Sequence, residues 1–529
     1  MPVTALITLP VAAPELPSAY LAAYEQFDQL VACLRAPQTQ HMTHSQLEQL
    51  LETDGRELLR CLLQAHLDER APATATQPVR DLAGEAHTHQ RMQTRELESV
   101  FGTVHVTRTG YGGHGLDSLH PLDAELNLPA ERYSHTVRRR AAELAAAQSF
   151  DEVVAALQTQ TGAHVPKRQV EQLVTRAATD FDAYYQQQRA ATAQEIRTTG
   201  EILVLSSDGK GVPMRKADLR ELTRQAAEAR QPRLAHRRSK GEKPHTKRIG
   251  TVAAVYTIAP FVRTPEEVVK ELQPDAAPPP ATHPRPEDKR VWASLAHPPG
   301  AIIDQAFAEA TRRDPRHCKR WCALVDGNRF QLDHLHLAAA DWGVELTIVL
   351  DLIHVTEYLW QAAWALHQEG DSAAEAWVSA RLLDILRGHS SQVAAGMRRS
   401  ATLRGLSEKE RAPLDKCANY LLKYRAYLHY DEYLAAGLPI ATGVIEGACR
   451  YLVKDRMELT GARWRLAGAE AVLRLRSLRA SGDFAEYWQF HLAQEYAREH
   501  AARYAKGEVP VPQLPAKEAG KGAHLRLVK

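Results

Sequence analysis

The spacing of apolar residues changes along the chain, and its first part has a helical pattern. Leucines recur three and four residues apart between residues 20 and 67, which predicts a helical N-terminal region over residues 1–100. Glycines and β-branched residues between residues 101 and 111 predict a short hairpin. This hairpin opens a second region, residues 101–198.

A helix-turn-helix pattern lies within residues 149–176 of the second region. One apolar-periodic segment, a break at Gly162 and another such segment follow one another. Lys167 and Arg168 open the later helix, and these residue types contact phosphates and base edges when such a helix enters the major groove. The pattern predicts DNA binding, and a helical hairpin that serves only in packing is the alternative.

From residue 199 the pattern changes to short, continuous apolar runs separated by helical segments. These runs are typical of buried strands and lie at residues 202–205, 249–258, 321–325 and 344–350. Helical segments are predicted at residues 286–317 and 330–342. Three of the runs end in an aspartate, namely Asp208, Asp326 and Asp351. Strands that alternate with helices predict an α/β sheet whose strand ends gather polar groups in one crevice, over residues 199–353.

The rest of the chain is predicted to be largely helical. Residues 354–438 form an all-α insertion, and residues 439–505 return to the core with a helix that begins near Thr442. That helix carries three residues spaced four apart, and hence on one face, which are Glu446, Arg450 and Lys454. Residues 506–529 are polar and predict a loose tail.

The composition is that of a globular protein in a reducing compartment. Of 529 residues, 44% are apolar and 25% are charged, which excludes disordered, collagen-like and coiled-coil chains. The six cysteines are too far apart to staple a small scaffold, so free thiols are expected. No secretory signal pattern and no run of 18 apolar residues occur, which predicts a cytoplasmic protein with no membrane partner.

Charge is distributed unevenly along the chain. The 66 basic and 64 acidic residues leave a net charge of +2, yet residues 209–250 hold 13 basic and 4 acidic residues, a local charge of +9. The remainder therefore carries −7 (2 − 9). This segregation favours a polyanion-binding segment on a neutral or acidic body, and a solvated charged loop is the alternative.

Three carboxylates stand out by position. Asp208 and Asp326 lie at strand ends, and Glu446 lies on the helix that follows the insertion. Carboxylates that converge without histidine or cysteine ligands suit Mg²⁺ or Mn²⁺, and two such ions promote in-line displacement at phosphorus. Each aspartate taken alone is also explained as a turn or helix cap, so only the set predicts a metal site.

Five segments of the sequence carry a resemblance to a known family. They are residues 204–214 (VLSSDGKGVPM), 323–329 (ALVDGNR), 348–355 (IVLDLIHV), 438–450 (LPIATGVIEGACR) and 455–464 (DRMELTGARW). Their order and content resemble bacterial insertion-sequence transposases of the Kra type, over residues 101–504. That family belongs to the acidic-triad (DDE) class with a ribonuclease H-like core, so the resemblance implies this core with an all-α insertion and a helical DNA-binding region before it.

The resemblance implies that Asp208, Asp326 and Glu446 are the catalytic triad and hold two Mg²⁺ or Mn²⁺ ions. Asp351 and His354 match a motif that lies close to the site in related transposases, which implies an auxiliary role. Asp351 also ends a strand and is the alternative second ligand. Asp326 is preferred because glycine and asparagine follow it and turn the backbone away, whereas Asp351 leads into a helix that it can cap.

Cations and amides around these carboxylates, in the basic segment and at the start of the helix-turn-helix helix are predicted to contact DNA phosphates. The predicted DNA-contacting residues are Lys167, Arg168, Lys210, Arg237, Arg238, Lys240, Lys243, Lys247, Arg248, Asn328, Arg329, Arg450 and Lys454.

The combined prediction is a DNA transposase of an insertion sequence, located on the nucleoid in the cytoplasm. It binds terminal inverted repeats through its N-terminal helical regions and catalyses metal-dependent strand cleavage and strand transfer into target double-stranded DNA. Joining two ends needs two active sites, so a homo-oligomer on DNA is predicted. Two alternatives stay open, a structure-selective nuclease without strand transfer and a non-enzymatic repressor derived from a transposase.

Overall fold

The structure is a computed structural model that describes residues 18–190, 200–230, 244–273, 282–368 and 370–515. Within these residues the chain forms two compact units. The first comprises the residues up to Ala177 and those from Trp488 onward, and the second comprises Ala178–Tyr487. The predicted core extended to residue 505, whereas in the structure the residues after Tyr487 belong to the first unit.

The first unit contains two groups of helices. The bounds are α1 (Leu21–Arg35), α2 (His44–Arg70), α3 (Pro121–Glu125), α4 (His135–Ala145), α5 (Phe150–Gln160) and α6 (Lys167–Ala177). α1 and α2 contact each other across a short connection and form an antiparallel hairpin. A capping box starts α2, in which Thr43 and Gln46 satisfy each other's backbone N–H groups. The helical pattern between residues 20 and 67 is therefore confirmed.

A three-stranded antiparallel sheet follows the helical hairpin. Its strands, in spatial order, are β2 (His89–Ser99), β3 (Gly102–Gly113) and β4 (Leu116–Leu119), after a short β1 (Thr74–Ala75). The predicted hairpin covered only residues 101–111, whereas the observed sheet extends from His89 to Leu119. The prediction of a helical region up to residue 100 is wrong over β2. β2 consists mostly of polar residues, so its sequence has no apolar run that marks a strand.

Helices α4, α5 and α6 contact one another pairwise. A capping box of Ser149 and Glu152 begins α5, and Val153 and Leu157 are fully buried on its inner face. Val170, Leu173 and Val174 bury the inner face of α6. The two helices predicted within residues 149–176 are therefore confirmed, and they belong to a three-helix group.

The second unit is built on a mixed five-stranded sheet. The strands are β5 (Ile202–Pro213), β6 (Lys247–Ile258), β7 (Glu287–Ser294), β8 (Arg320–Val325) and β9 (Leu346–Leu350). Their spatial order is β7-β6-β5-β8-β9; β6 is antiparallel to β5 and β7, and β5, β8 and β9 are mutually parallel. All four predicted strands are confirmed. β7 was missed because charged residues occupy its first half, and the predicted helix over residues 286–317 is wrong there.

Helices surround this sheet and form the segment after it. They are α7 (Phe181–Ala190), α8 (Glu221–Glu228), α9 (Pro265–Glu271), α10 (Pro299–Arg313), α11 (Arg329–Trp342), α12 (Leu352–Ala363), α13 (Ser372–Leu386), α14 (Ser390–Leu403), α15 (Glu408–Lys423), α16 (Tyr430–Ala435), α17 (Gly443–Ala448), α18 (Asp455–Met457) and α19 (Leu466–Ser481). The last helix, α20 (Phe484–Glu499), begins in the second unit and has most of its residues in the first. The prediction that residues 354–438 are helical is confirmed in the described part of this segment.

The single helix predicted from Thr442 is interrupted. A π-helical segment, Cys449–Lys454, separates α17 from α18. Glu446, Arg450 and Lys454 are all exposed, in agreement with the prediction that they lie on one face, but they belong to an α-helix and a π-helical segment rather than to one continuous α-helix. Near the C-terminus, β10 (Pro512–Gln513) pairs with β1, so the predicted loose tail is wrong at these two residues.

Across the described parts of the chain, no helix combines the length and the apolar character that crossing a bilayer requires.

Candidate active site

The register of the five-stranded sheet sets three aspartates at one level. β5 and β8 are parallel, and their last paired residues are Ser206 and Leu324. The same register continued by two residues places Asp208 beside Asp326. The parallel pairing of β8 and β9 likewise places Asp326 beside Asp351. Neighbouring strands lie ~4.8 Å apart, so the three carboxylates form a row with Asp326 in the middle. Asp326 and Asp351 directly follow β8 and β9, whereas Asp208 lies within β5, which continues to Pro213 beside β6, so the prediction that Asp208 ends a strand is wrong.

Asp208 lies against the helix that carries Glu446. One oxygen of the half-buried Asp208 carboxylate accepts the backbone N–H of Gly209, and Cys449 Sγ donates to Oδ2 over 3.2 Å. Burial and the nearby carboxylate raise the pKa of the Cys449 thiol, which therefore stays protonated and can donate. Lys210 follows two residues later on the same face of β5, and its charge also acts on Cys449.

Asp326 is held at a sharp turn between β8 and α11. Its Oδ1 accepts the backbone N–H of Asn328 over 2.9 Å, and Gly327 has a φ of +91°. The side chain of Asn328 then caps α11. The predicted turn after Asp326 is thus confirmed. Tyrosines from α15 add support, since the hydroxyl of Tyr420 donates to the carbonyl of Asp326 and that of Tyr424 to the carbonyl of Gly327.

Gly327→Ala is expected to destabilise the second unit more than Gly343→Ala. Both glycines have positive φ, which costs an alanine about 1–2 kcal/mol. A Cβ at Gly343 meets open space, whereas one at Gly327 lies 3.1 Å from the Tyr424 ring, which adds about 1–3 kcal/mol of overpacking. Urea unfolding of both variants measures the difference, and equal losses would contradict a packed turn beneath Asp326.

Asp351 is the fully buried member of the row, and protein donors surround it. Its Oδ1 accepts the backbone N–H of Ile353 at 3.3 Å and that of Thr442 at 2.9 Å, and its Oδ2 pairs with His354 Nδ1 at 2.7 Å. Burial raises the pKa of Asp351, but the bonds from His354 and Thr442 outweigh it and leave that pKa lowered. The carboxylate therefore joins the start of α12 to the segment before α17.

The bond to Asp351 raises the pKa of His354 to about 9, against the opposing effect of burial, and the charge of Asp326 contributes. His354 is therefore an imidazolium at neutral pH. Ligand atoms of Asp351, His354 and Glu446 lie within 4.8 Å of one another, and this is the one such group among the described residues. In this arrangement, Asp351 and His354 form an ion pair beside Glu446.

The predicted triad is brought to one edge of the sheet but not into one tight group. Glu446 is exposed and accepts from the hydroxyl of Thr442 at 3.4 Å. Its helix α17 contacts β5 and β6, and Cys449, three residues later, touches Asp208. Asp208 and Asp326 lie outside the trio of Glu446, Asp351 and His354.

The predicted DNA-contacting residues of the second unit have different surroundings. Asn328, Arg329, Arg450 and Lys454 are exposed, with Arg329 3.7 Å from Asp333 and Arg450 3.8 Å from Asp455. The carboxylate near Arg450 is therefore that of Asp455, and not only that of Glu446, as its position four residues after Glu446 suggests.

Two members of the basic segment have partners within the second unit. Lys247 is ion-paired with Glu458, and Arg248 donates to the carbonyls of Leu295 and Asp218. The guanidinium of Arg248 therefore braces β6 and is less available to a phosphate than predicted. Four further predicted contacts, Arg237, Arg238, Lys240 and Lys243, lie outside the described residues.

The predicted DNA-contacting residues of the first unit lie at the start of α6. Both Lys167 and Arg168 are exposed, and Lys167 Nζ lies 2.6 Å from Asp151 of α5. The exposed face of α6 continues through Glu171, Gln172 and Thr175. Polar side chains along one face of the second helix are what groove contact requires.

Two supports of the site could not be found in the sequence. The tyrosines that hold the ends of β8 and β9, including Tyr430 on the carbonyl of Leu350 at 2.7 Å, come from the insertion, where their spacing indicates only helix. Cys449 is a single thiol far from Asp208 in sequence. A tyrosine-rich helical insertion next to strand ends is the available, weak signal.

No protein-family model matches this chain, and a search of curated proteins finds no match.

Proposed function

We propose that the protein is a DNA transposase whose second unit cleaves and joins DNA strands. One observation carries this proposal: Asp208 and Asp326 stand level on adjacent parallel strands, and Cys449 ties Asp208 to the helix of Glu446. A mixed five-stranded sheet with its acidic residues at one edge supports the ribonuclease H-like core that the resemblance implies.

The donor set fits hard divalent cations. Asp208, Asp326 and Glu446 offer carboxylate oxygens, which Mg²⁺ and Mn²⁺ prefer. Bound there, two ions would supply an activated oxygen nucleophile and charge stabilisation at the scissile phosphate. Asp326 is favoured over Asp351 as the second ligand, because protein donors already occupy both oxygens of Asp351.

The other groups at the strand ends have positioning roles in this proposal. Asp351 fixes His354, whose positive charge faces Asp326 and Glu446 and limits their mutual repulsion. Lys210, Arg329 and Arg450, which lie two to four residues along the chain from a proposed ligand, provide cations for the flanking phosphates. DNA recognition is assigned to the three-helix group of the first unit, with α6 in the major groove.

Arg168→Ala is expected to weaken duplex binding about tenfold and to lower the slope of log affinity against log salt by about one unit. Arg168 is exposed at the start of α6, so its charge is free to replace a counterion at a phosphate. Fluorescence anisotropy on a labelled duplex at several salt concentrations measures both quantities. Arg404→Ala, an exposed arginine at the end of α14, serves as control, and identical salt slopes for the two variants would contradict the assignment.

The experiment that tests the proposed function is a cleavage and joining assay with Mg²⁺. Labelled DNA from both flanks of the protein's own coding locus is incubated with the full chain and a second duplex. Cleavage at a defined end followed by joining supports the transposase. Cleavage without joining would replace it with the structure-selective nuclease, and specific binding without cleavage would replace it with the repressor.

A further inference from the structure

We infer that the helical hairpin of α1 and α2 is a surface for association with a second copy of this chain. Large apolar side chains stand exposed on both helices, each with 36–50% of its surface accessible. They are Leu21, Tyr24, Phe27 and Val31 of α1 and Leu51, Leu59 and Leu62 of α2. A surface of this kind marks a protein–protein contact when its members lie together.

Helix geometry places the two stripes on the same side of the hairpin. In α1 the buried residues Ala23 and Leu30 face α2, and Tyr24 and Val31 each follow one residue later. In α2 the exposed Leu51 and Leu59 likewise each follow a half-buried leucine, Leu50 or Leu58. Each exposed stripe is thus rotated ~100° past the α1–α2 seam in the same helical sense. Because antiparallel helices reverse that sense in space, both stripes point to one side.

The stripe on α1 is symmetric about Phe27, which fits a second copy. Tyr24 lies three residues before Phe27 and Val31 four residues after it, the spacing of a helix–helix seam. A two-fold axis near Phe27 pairs each Tyr24 with the Val31 of the other copy. Self-complementarity of this kind is the requirement of an isologous dimer.

The exposed area is sufficient for a substantial part of such an interface. The seven side chains together expose on the order of 500 Å², given about 150–250 Å² for a large side chain. A stable interface buries about 800 Å² per partner, and the polar rim of the hairpin supplies the rest.

The net negative charge of the hairpin disfavours DNA as the molecule that binds to its exposed apolar surface. Residues 18–70 contain eight acidic residues and four arginines, a net charge of −4 (4 − 8). Three of the arginines are already paired with carboxylates, Arg56 with Glu52, Arg60 with Glu57 and Arg70 with Glu125. The N-terminal hairpin is therefore excluded from the predicted binding of inverted repeats, which leaves that task to the three-helix group.

Sedimentation equilibrium of the full chain without DNA tests this inference. The wild type is expected to dimerise at micromolar concentrations. Phe27→Asp is expected to weaken the dimer at least about a hundredfold, as removal of a central interface residue does. Each hairpin carries a net negative charge, so moderate salt should strengthen the dimer by screening the repulsion between the two copies. The same salt should weaken DNA binding.

Leu82→Asp is the matched control, since Leu82 is 72% exposed in the same unit but outside the hairpin. A monomeric wild type, an unchanged dimer in Phe27→Asp or equal weakening by Leu82→Asp would overturn the inference. A Phe27→Cys variant tests the interface by a gain of signal. Cysteines at the two-fold axis should form a disulfide between the two copies on oxidation, and the variant should therefore give more cross-linked dimer than the wild type. Dimer formation does not require cleavage, so its failure and that of the proposed function are separable.

Discussion

Asp208→Asn is expected to lower Mg²⁺-dependent DNA cleavage by on the order of a thousandfold, because loss of a metal ligand removes several kcal/mol of transition-state stabilisation. Asparagine keeps the shape of the side chain and the acceptor for the Gly209 N–H, so the backbone of β5 at this position is expected to remain as it is. The charge is lost, and so is the oxygen that accepts from the Cys449 thiol. Single-turnover cleavage of labelled DNA measures the effect, and Mn²⁺ titration by calorimetry reports metal binding without activity.

Asp304→Asn is the control for this variant, since Asp304 is exposed on α10, a helix that carries none of the proposed ligands. It should cleave like the wild type. A folded Asp208→Asn protein with full cleavage would exclude Asp208 as a ligand, and equal losses in both variants would indicate a general effect of charge.

The parallel strands of the core could be predicted from the sequence because both of their faces are buried. Ile202, Leu203, Val204 and Leu205 are all fully or almost fully buried, so the run is continuously apolar and easy to find. β7 differs in that Glu287 and Asp288 are exposed at the sheet edge, and only its second half is apolar. β2 is largely solvent-exposed, and its polar sequence therefore resembles a loop or a helix surface.

The candidate site divides in the same way. The row of aspartates follows directly from the strand pattern, since each of them comes immediately after a buried run of residues in one of three parallel strands. The contacts that hold these aspartates could not be predicted from the strand pattern. Thr442 is 91 residues from Asp351 in the sequence, and Cys449 is 241 residues from Asp208. Such contacts depend on how α17 packs on the sheet, which spacing alone does not report. The π-helical segment likewise changes the phase of a helix without any glycine or proline that marks it.

Glu309→Gln is expected to destabilise the second unit by about 3–5 kcal/mol, the usual cost of breaking a buried charge network. Glu309 on α10 is 1% exposed and receives three arginines, Arg290 at 2.7 Å, Arg312 at 2.7 Å and Arg313 at 2.8 Å. The Arg290 guanidinium also lies 3.4 Å from the centre of the Tyr185 ring. Glutamine would leave three cations, two of them buried, without their counter-charge.

Urea unfolding at neutral pH measures the loss, and Glu345→Gln, at an exposed position before β9, should change the free energy of unfolding by less than about 0.5 kcal/mol. Similar values for the two variants would show that the cluster is not an energetic centre of the unit.

The pH dependence of this loss follows from the direction of the pKa shift of Glu309. Burial raises that pKa, but Arg290, Arg313 and Arg312 outweigh burial and hold it well below its usual value. A lowered folded-state pKa means that the stabilisation is fully present above the unfolded-chain pKa of about 4.3 and is lost as the pH falls through the folded-state value. Glutamine does not titrate, so the gap between wild type and Glu309→Gln should stay constant from neutral pH to about pH 5 and narrow below it. A gap that widens on acidification would mean that the carboxylate is not the group the arginines stabilise.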